Sequence, residues 1–171
     1  MSNKVHFLTR SALLAAVYVV LTWMQNLLFP NSASYAIQFR ASEALCILAF
    51  FTPTAIAGVS VGCLVFNLSY IGALPLDFLL GTLGSFLATG TMWLTRKWTI
   101  KGYPLLGLCM PALFNGLLVG WELDLYIGGG FWLQALYVAL GEMGVLLTLG
   151  TALYYAMKAL RLDKRLFQDY R

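Results

Sequence analysis

The chain has 171 residues, of which 60% are hydrophobic and only 11% charged, against roughly 45–50% and about 25% in ordinary soluble domains. That composition leaves no room for a water-soluble domain of useful size and predicts an all-α integral membrane protein, one domain over residues 1–171 set in a lipid bilayer. The net charge of +4 does not indicate nucleic acid, because the basic residues bracket apolar segments instead of forming a stripe with interleaved aromatics.

A helix needs roughly 20 residues to cross a bilayer, and hydropathy predicts helices over about 7–29, 42–52, 54–70, 75–95, 104–122 and 131–160. The first follows "MSNKVHFLTR" and resembles a secretory signal, yet its apolar run has spanning length and Asn26 to Pro30 forms no small-residue cleavage site. It is expected to stay attached. Ser2 in place of glycine removes a myristoylation site.

The region Ser42 to Tyr70 contains "FFTPT", where Pro53 interrupts a helix, giving either two short spans or one kinked one. Charge decides between them. With six spans, Lys4, Arg10, Arg96, Lys97, Lys101, Lys158, Arg161, Lys164, Arg165 and Arg171, ten of the eleven Lys and Arg, fall on one side with both termini. Five spans would carry the last two clusters across the membrane and lose the positive-inside bias. Six transmembrane helices with cytoplasmic N- and C-termini are therefore expected.

Only Asp163 and Asp169 among the acids are then cytoplasmic, while Glu43, Asp77, Glu122, Asp124, Glu142 and the exceptional cation Arg40 gather toward the outer face. On a continuous helix, Asn115 and Glu122, seven apart, point nearly the same way. In the last helix Phe131, Ala135, Val138 and Glu142 share a stripe, flanked by Trp132 and Gln134. Glu142 lies about 11 residues, or roughly 16 Å, below the start of its helix. A charge at the bilayer centre costs around 2.5–3.5 kcal/mol on insertion scales. Something must satisfy it: a structural partner such as Arg40 or a Tyr hydroxyl, or a ligand or proton.

The other polar residues each admit a structural and a functional role. Glu122 and Asp124 precede the glycines of "VGWELDLYIGGG" and read as solvated loop acids or ligand contacts. Asp77 behind Pro75 reads as a helix-start acid or a ligand contact, and Asn67 as a ligand contact or an interhelical bridge. Arg40 and Glu43, three apart, pair on a helix turn or hold a loop over a pocket in which Gln38 reads a ligand. Ala12 and Ala16 in the first helix, and Gly58 and Gly62 in the third, have the spacing that lets helices approach closely, inside the bundle or against another subunit.

Several chemistries lack their residues. Cys46, Cys63 and Cys109 sit in apolar runs without CxxC spacing, which indicates core packing and no metal site. There is no phosphate loop, no HExxH pattern and no Ser, His and Asp set, so no catalytic residue and no cofactor are assigned to this chain. The two halves do not repeat each other, which weighs against an inverted-repeat carrier.

At "IQFRASEAL", "FFTPTAIAG", "GCLVFNL", "FNGLLVGWEL" and "FWLQALYVALGE", in that order between about Phe7 and Leu160, the chain resembles the QueT family of substrate-binding S components of energy-coupling factor (ECF) transporters. The resemblance implies an S-component-like bundle in the plasma membrane of a prokaryote, with its site facing outside under the first connecting loop. A transmembrane coupling subunit and two cytoplasmic ATPase subunits would be its partners, and ATP would be used by those partners. The small-residue motif on the first helix, here Ala12 and Ala16, would dock the coupling subunit.

The substrate implied is a 7-deazaguanine precursor of queuosine: the aminomethyl form, the cyano form or queuine. Such a base offers adjacent N–H donors to one carboxylate and a carbonyl to an amide donor. Glu142 or Glu122 could serve the first edge and Asn115 or Gln38 the second, with stacking on Trp121, Trp132 or Phe39. Arg40, Glu43, Asn67 and Asp77 complete the expected binding set. The competing reading is a stand-alone secondary transporter moving a nucleobase- or vitamin-like molecule with protons through Glu142.

Overall fold

The computed structural model describes residues 3–30 and 39–162. Gln38 lies outside the described residues, as do the C-terminal charges from Asp163 onward. Helices α1 (Asn3–Leu28), α2 (Thr54–Ser69), α3 (Asp77–Leu94), α4 (Leu105–Leu108), α5 (Met110–Tyr126), α6 (Phe131–Val145) and α7 (Thr151–Ala159) are joined by a 3-10 helix over Ala41–Phe50 and a π-helical turn over Leu146–Gly150. The described residues contain no strand, only an isolated bridge between Ile100 and Tyr103. Three stretches are long and apolar enough to cross a membrane: Lys4–Leu28, Leu105–Tyr126 and Phe131–Ala159.

These elements stand as six columns, the last two composite. Gly58 and Gly62 of α2 meet Ser11, Leu14, Ala15 and Tyr18 of α1 in ascending order, so the two helices run parallel. The 3-10 helix runs against them: Tyr18 bonds Glu43, Thr22 bonds Ser42 and Gln25 bonds Ala41. From α3 onward the directions alternate, with Gly84 against Asn115, Leu76 against Glu122, and Gly120 and Gly116 against Ala135 and Ala139. One end of the bundle, here the upper end, therefore collects the finish of α1, α2 and α5 and the start of α3 and α6.

Helix contacts in an apolar solvent gain little from hydrophobic burial and depend on close approach and polar bonds. The glycines supply the approach. A Cβ on Gly58 would lie 2.7 Å from Leu14 Cβ, and one on Gly62 2.7 Å from Tyr18 Cβ. One on Gly120 would lie 2.6 Å from Ala135 Cα. Gly58 and Gly62 thus serve packing inside the bundle. Ala12 and Ala16 are exposed on the opposite face of α1.

The 3-10 helix is the axis of the molecule. Ser42 through Phe50 are all buried, and the main apolar core forms around Cys46, Ile47, Phe50, Tyr18, Met92, Leu108, Leu146 and Tyr154. At about 2.0 Å rise per residue it reaches roughly 20 Å in ten residues, where an α-helix would reach about 15 Å. Pro53 ends the column, and α2 begins one residue later. The region of Ser42 to Tyr70 is thus two elements with a break at the proline.

The first helix begins at Asn3, ahead of the expected 7, and the last two columns are less regular than expected. The fifth column starts with a short α4, separated from α5 at Cys109, and runs on to Tyr126, past 122. The sixth holds the π turn at 146–150, where Gly150 sits against Ile47 of the axial helix, leaving a Cβ there 3.0 Å from Ile47 Cγ1. At the lower end, Lys101 and Gly102 adopt positive φ of 51° and 80° in the tight turn between Ile100 and Tyr103, the conformation of a two-residue primed turn. Gly102 O accepts Tyr154 Oη and Lys158 Nζ, both at 3.2 Å, fastening that turn to α7.

Candidate substrate-binding site

The exterior is apolar and the interior polar. Leu8, Leu27, Leu94, Leu140 and Trp132 are exposed, while Arg40, Glu43, Asn67, Asp77, Asn115, Glu122, Gln134 and Glu142 are buried. That distribution inverts the soluble pattern and fits a surface facing lipid. The buried polar groups fall into two layers, set by the seven residues, or about 10 Å, between Asn115 and Glu122 on α5.

In the lower layer, Glu43 on the axial helix accepts the Tyr18 hydroxyl at one carboxylate oxygen and Cys46 Sγ at the other, 3.0 Å away. The i, i+3 eclipse of a 3-10 helix puts Cys46 directly beneath Glu43. Asn115 Nδ2 donates to Glu142 Oε1 at 3.0 Å. Glu43 and Arg40 are close enough to Glu142 to act on it electrostatically.

In the upper layer, Asn67 Nδ2 donates to Asp77 O at 2.8 Å and Asp77 Oδ2 accepts Leu74 N at 3.1 Å. Glu122 Oε1 accepts Leu76 N at 3.0 Å, and the Asp77 carboxylate is its neighbour. Arg40 bridges the layers. Its Nη1 lies 3.6 Å from Cys63 Sγ, its guanidinium lies 5.6 Å from the Phe66 ring centroid, and Glu43 and Asp77 share its field.

Glycines on α3 make room for this interior. A Cβ on Gly81 would fall 2.9 Å from Asn67 Nδ2, and one on Gly84 would collide with Asn115 Oδ1. Any larger residue at either position would expel an amide from the centre.

The structure brings Arg40, Glu43, Asn67, Asp77, Asn115, Glu122 and Glu142 together. Glu122 is not a loop acid: α5 continues through it and leaves it fully buried. Asp124 is the one near the loop, accepting Gly130 N at 2.9 Å. Trp121, 49% exposed, and Trp132, 77% exposed, do not join the cluster, because each is one residue, about 100° of helix, away from an inward position. Phe39 is exposed as well.

Another aromatic group lies between α1 and α2, of which Phe66 alone is buried. Phe66 and Tyr70 stack at 5.4 Å with 16° between planes, and Trp23 meets both edge-on at 5.8 Å. The i, i+4 spacing of Phe66 and Tyr70 beside Asn67 was the sequence signal for it. Cys46 and Cys63 are more than packing, since both touch the polar network. Among the described residues no group of three His, Cys, Asp or Glu is placed to hold a metal ion.

Five amide and carboxyl oxygens of the interior stand apart. Asn67 Oδ1, Asn115 Oδ1, Glu122 Oε2, Gln134 Oε1 and Glu142 Oε2 are buried without a hydrogen-bond partner. All five are oxygens, and each amide has its nitrogen bonded to a protein oxygen: Asn67 to Asp77, Asn115 to Glu142, and Gln134 to Gly128 O at 2.7 Å.

A family described as QueT transporter matches residues 8–159. The chain belongs to this family. A curated relative, "Queuosine precursor transporter QueT" of Lactococcus lactis subsp. cremoris (strain MG1363), is 34% identical over 97 residues, covering 55% of this chain and 54% of the relative. The chain thus spans about half the length of the curated relative it matches. No solved structure matches it. Both descriptions are of transporters and neither is of an enzyme.

Proposed function

We propose that this QueT-family chain is the substrate-binding membrane subunit of an ECF-type importer that takes up a 7-deazaguanine precursor of queuosine. The observation that carries the reading is the set of five buried acceptor oxygens without partners, inside a chain whose relative is described as a queuosine precursor transporter. A 7-deazaguanine presents N1–H and an exocyclic NH2 on one edge, and in the aminomethyl form an ammonium as well. These are the donors such an interior lacks.

In this reading the six columns all span the plasma membrane of a prokaryote, both termini are cytoplasmic, and the upper end of the bundle faces outside. Glu142 and Asn115, or Glu122 in the upper layer, take the donor edge of the base. Asn67 and Asp77 shape the site from α2 and α3, and Arg40 with Glu43 balances the charge of the acids. Trp121 and Trp132 sit on the flank of the bundle and act there, and stacking falls to Phe66, Tyr70 and Trp23.

The coupling subunit docks on the exposed Ala12 and Ala16 face of α1. ATP is hydrolysed by two cytoplasmic ATPase partners and not by this chain. Uptake of radiolabelled 7-aminomethyl-7-deazaguanine into proteoliposomes tests the arrangement. It should require the coupling and ATPase subunits with internal ATP. Uptake by this chain alone, driven by a pH gradient, would establish the stand-alone carrier instead.

A further inference from the structure

The inward stripe of α1 carries four polar residues, Ser11, Tyr18, Thr22 and Asn26, and each but the last has a partner. Ser11 Oγ donates to Thr54 O at 3.2 Å, the Tyr18 hydroxyl donates to Glu43, and Thr22 Oγ1 lies 2.6 Å from Ser42 Oγ. Asn26, one turn above Thr22, is only 8% exposed, and neither its Nδ2 nor its Oδ1 has a hydrogen-bond partner. A buried amide left unpaired at both ends is a burden of the kind that native structures rarely keep without a use.

Its position relates it to the site. Trp23 packs on Phe66 and Tyr70, which flank Asn67 in sequence, and Asn26 is one turn, about 5 Å, further toward the upper end on a helix parallel to α2. Its neighbour Gln25 holds the chain that leads into the axial helix: Nε2 donates to Phe39 O, and Oε1 accepts Ala41 N at 2.6 Å. The Asn26 amide therefore lies above the upper polar layer, where a guest lodged there would present its outward edge.

Its chemistry complements that layer. The nitrogens of the other buried amides are each bonded to a protein oxygen. Asn26 is the buried amide among the described residues whose NH2 makes no hydrogen bond. We infer that Asn26 is a specificity-determining residue, which donates Nδ2–H to the ring carbonyl of the guest while the deeper acceptors take its N–H groups. A heterocycle with donors along one edge and a carbonyl on the next satisfies both sets. The inference rests on the proposed deazaguanine site.

The test uses the full-length protein in detergent, with calorimetric binding of 7-aminomethyl-7-deazaguanine to wild type, Asn26→Asp and Asn26→Leu, and thermal unfolding of each without ligand. Asn26→Asp keeps the shape and removes the donor, and is expected to weaken binding at least tenfold. Asn26→Leu is expected to weaken it at least as much while leaving the ligand-free melting temperature equal or higher, since no native partner is lost. Wild-type binding with both variants within threefold of it would overturn the role of Asn26. A large fall in ligand-free melting temperature for Asn26→Leu would overturn it too, by showing that the amide has a structural partner. Failure of the wild type to bind would overturn the substrate reading itself.

Discussion

Asn115 on α5 and Glu142 on α6 are joined by a 3.0 Å hydrogen bond in the middle of the bundle, and each keeps one acceptor oxygen without a partner. The bond commits the amide NH2 to the carboxylate and leaves the Asn115 oxygen against Gly84 of α3. Asn115 Oδ1 and Glu142 Oε2 are thereby two acceptors without partners. If they receive the N–H edge of a base, Glu142→Gln replaces an acceptor with an NH2 facing the ligand's own donors. Calorimetry should find affinity lowered by more than about 2 kcal/mol, roughly thirtyfold. Unchanged affinity would remove Glu142 from the site.

Gly84 tests how the polar interior is built. A methyl there would meet Asn115 Oδ1, whereas at Gly90 on the same helix it would meet nothing within 4 Å. Gly84→Ala should lower stability by about 1–3 kcal/mol through overpacking and weaken ligand binding as Asn115 is displaced. Gly90→Ala should be neutral or stabilise by up to about 1 kcal/mol. Thermal unfolding and calorimetry on the two variants measure both effects.

Gln25 tests the chain that leads into the axial helix. Gln25→Leu removes both bonds to Phe39 and Ala41 while preserving bulk. Stopped-flow binding should show faster ligand release, with the midpoint of unfolding lowered by the loss of about 1 kcal/mol per hydrogen bond. Release at the wild-type rate would mean that this tether does not govern the site.

The exposed face of α1 carries the partner claim. Ala16→Trp enlarges a residue that touches the bundle little, so ligand binding by the isolated chain should be unchanged while uptake in the reconstituted importer is abolished. Loss of both would place Ala16 in internal packing.

The composition made the helical character and the apolar exterior legible, and Ala41–Phe50 and Thr54–Ser69 part at Pro53, which in the sequence admitted either two short spans or one kinked one. Heptad spacing placed Asn115 and Glu122 on one side of α5, and both are buried. Other features were hidden because they depend on partners, not on spacing. Nothing in "ASEALCILAF" separates a 3-10 helix from an α-helix. The tryptophans are a second case. Large and apolar, Trp121 and Trp132 suit a ligand face or a lipid face equally, and only the register with Glu122 and with Gln134 turns them outward. Gly116 and Gly120 have the same spacing as Gly58 and Gly62, and their close approach to Ala135 was there to be read. Asn26 gave no sequence signal, because an unpaired amide is recognised only when all its neighbours are placed.

Equilibrium binding to the purified protein without partner subunits, by calorimetry with 7-aminomethyl- and 7-cyano-7-deazaguanine, queuine and guanine, tests the central claim most directly. A substrate-binding subunit with this acceptor-lined interior should bind a deazaguanine with nanomolar affinity, about 12 kcal/mol, and guanine far more weakly. Absence of binding by all four, in protein that unfolds cooperatively, would contradict the assignment of this interior as a queuosine-precursor site.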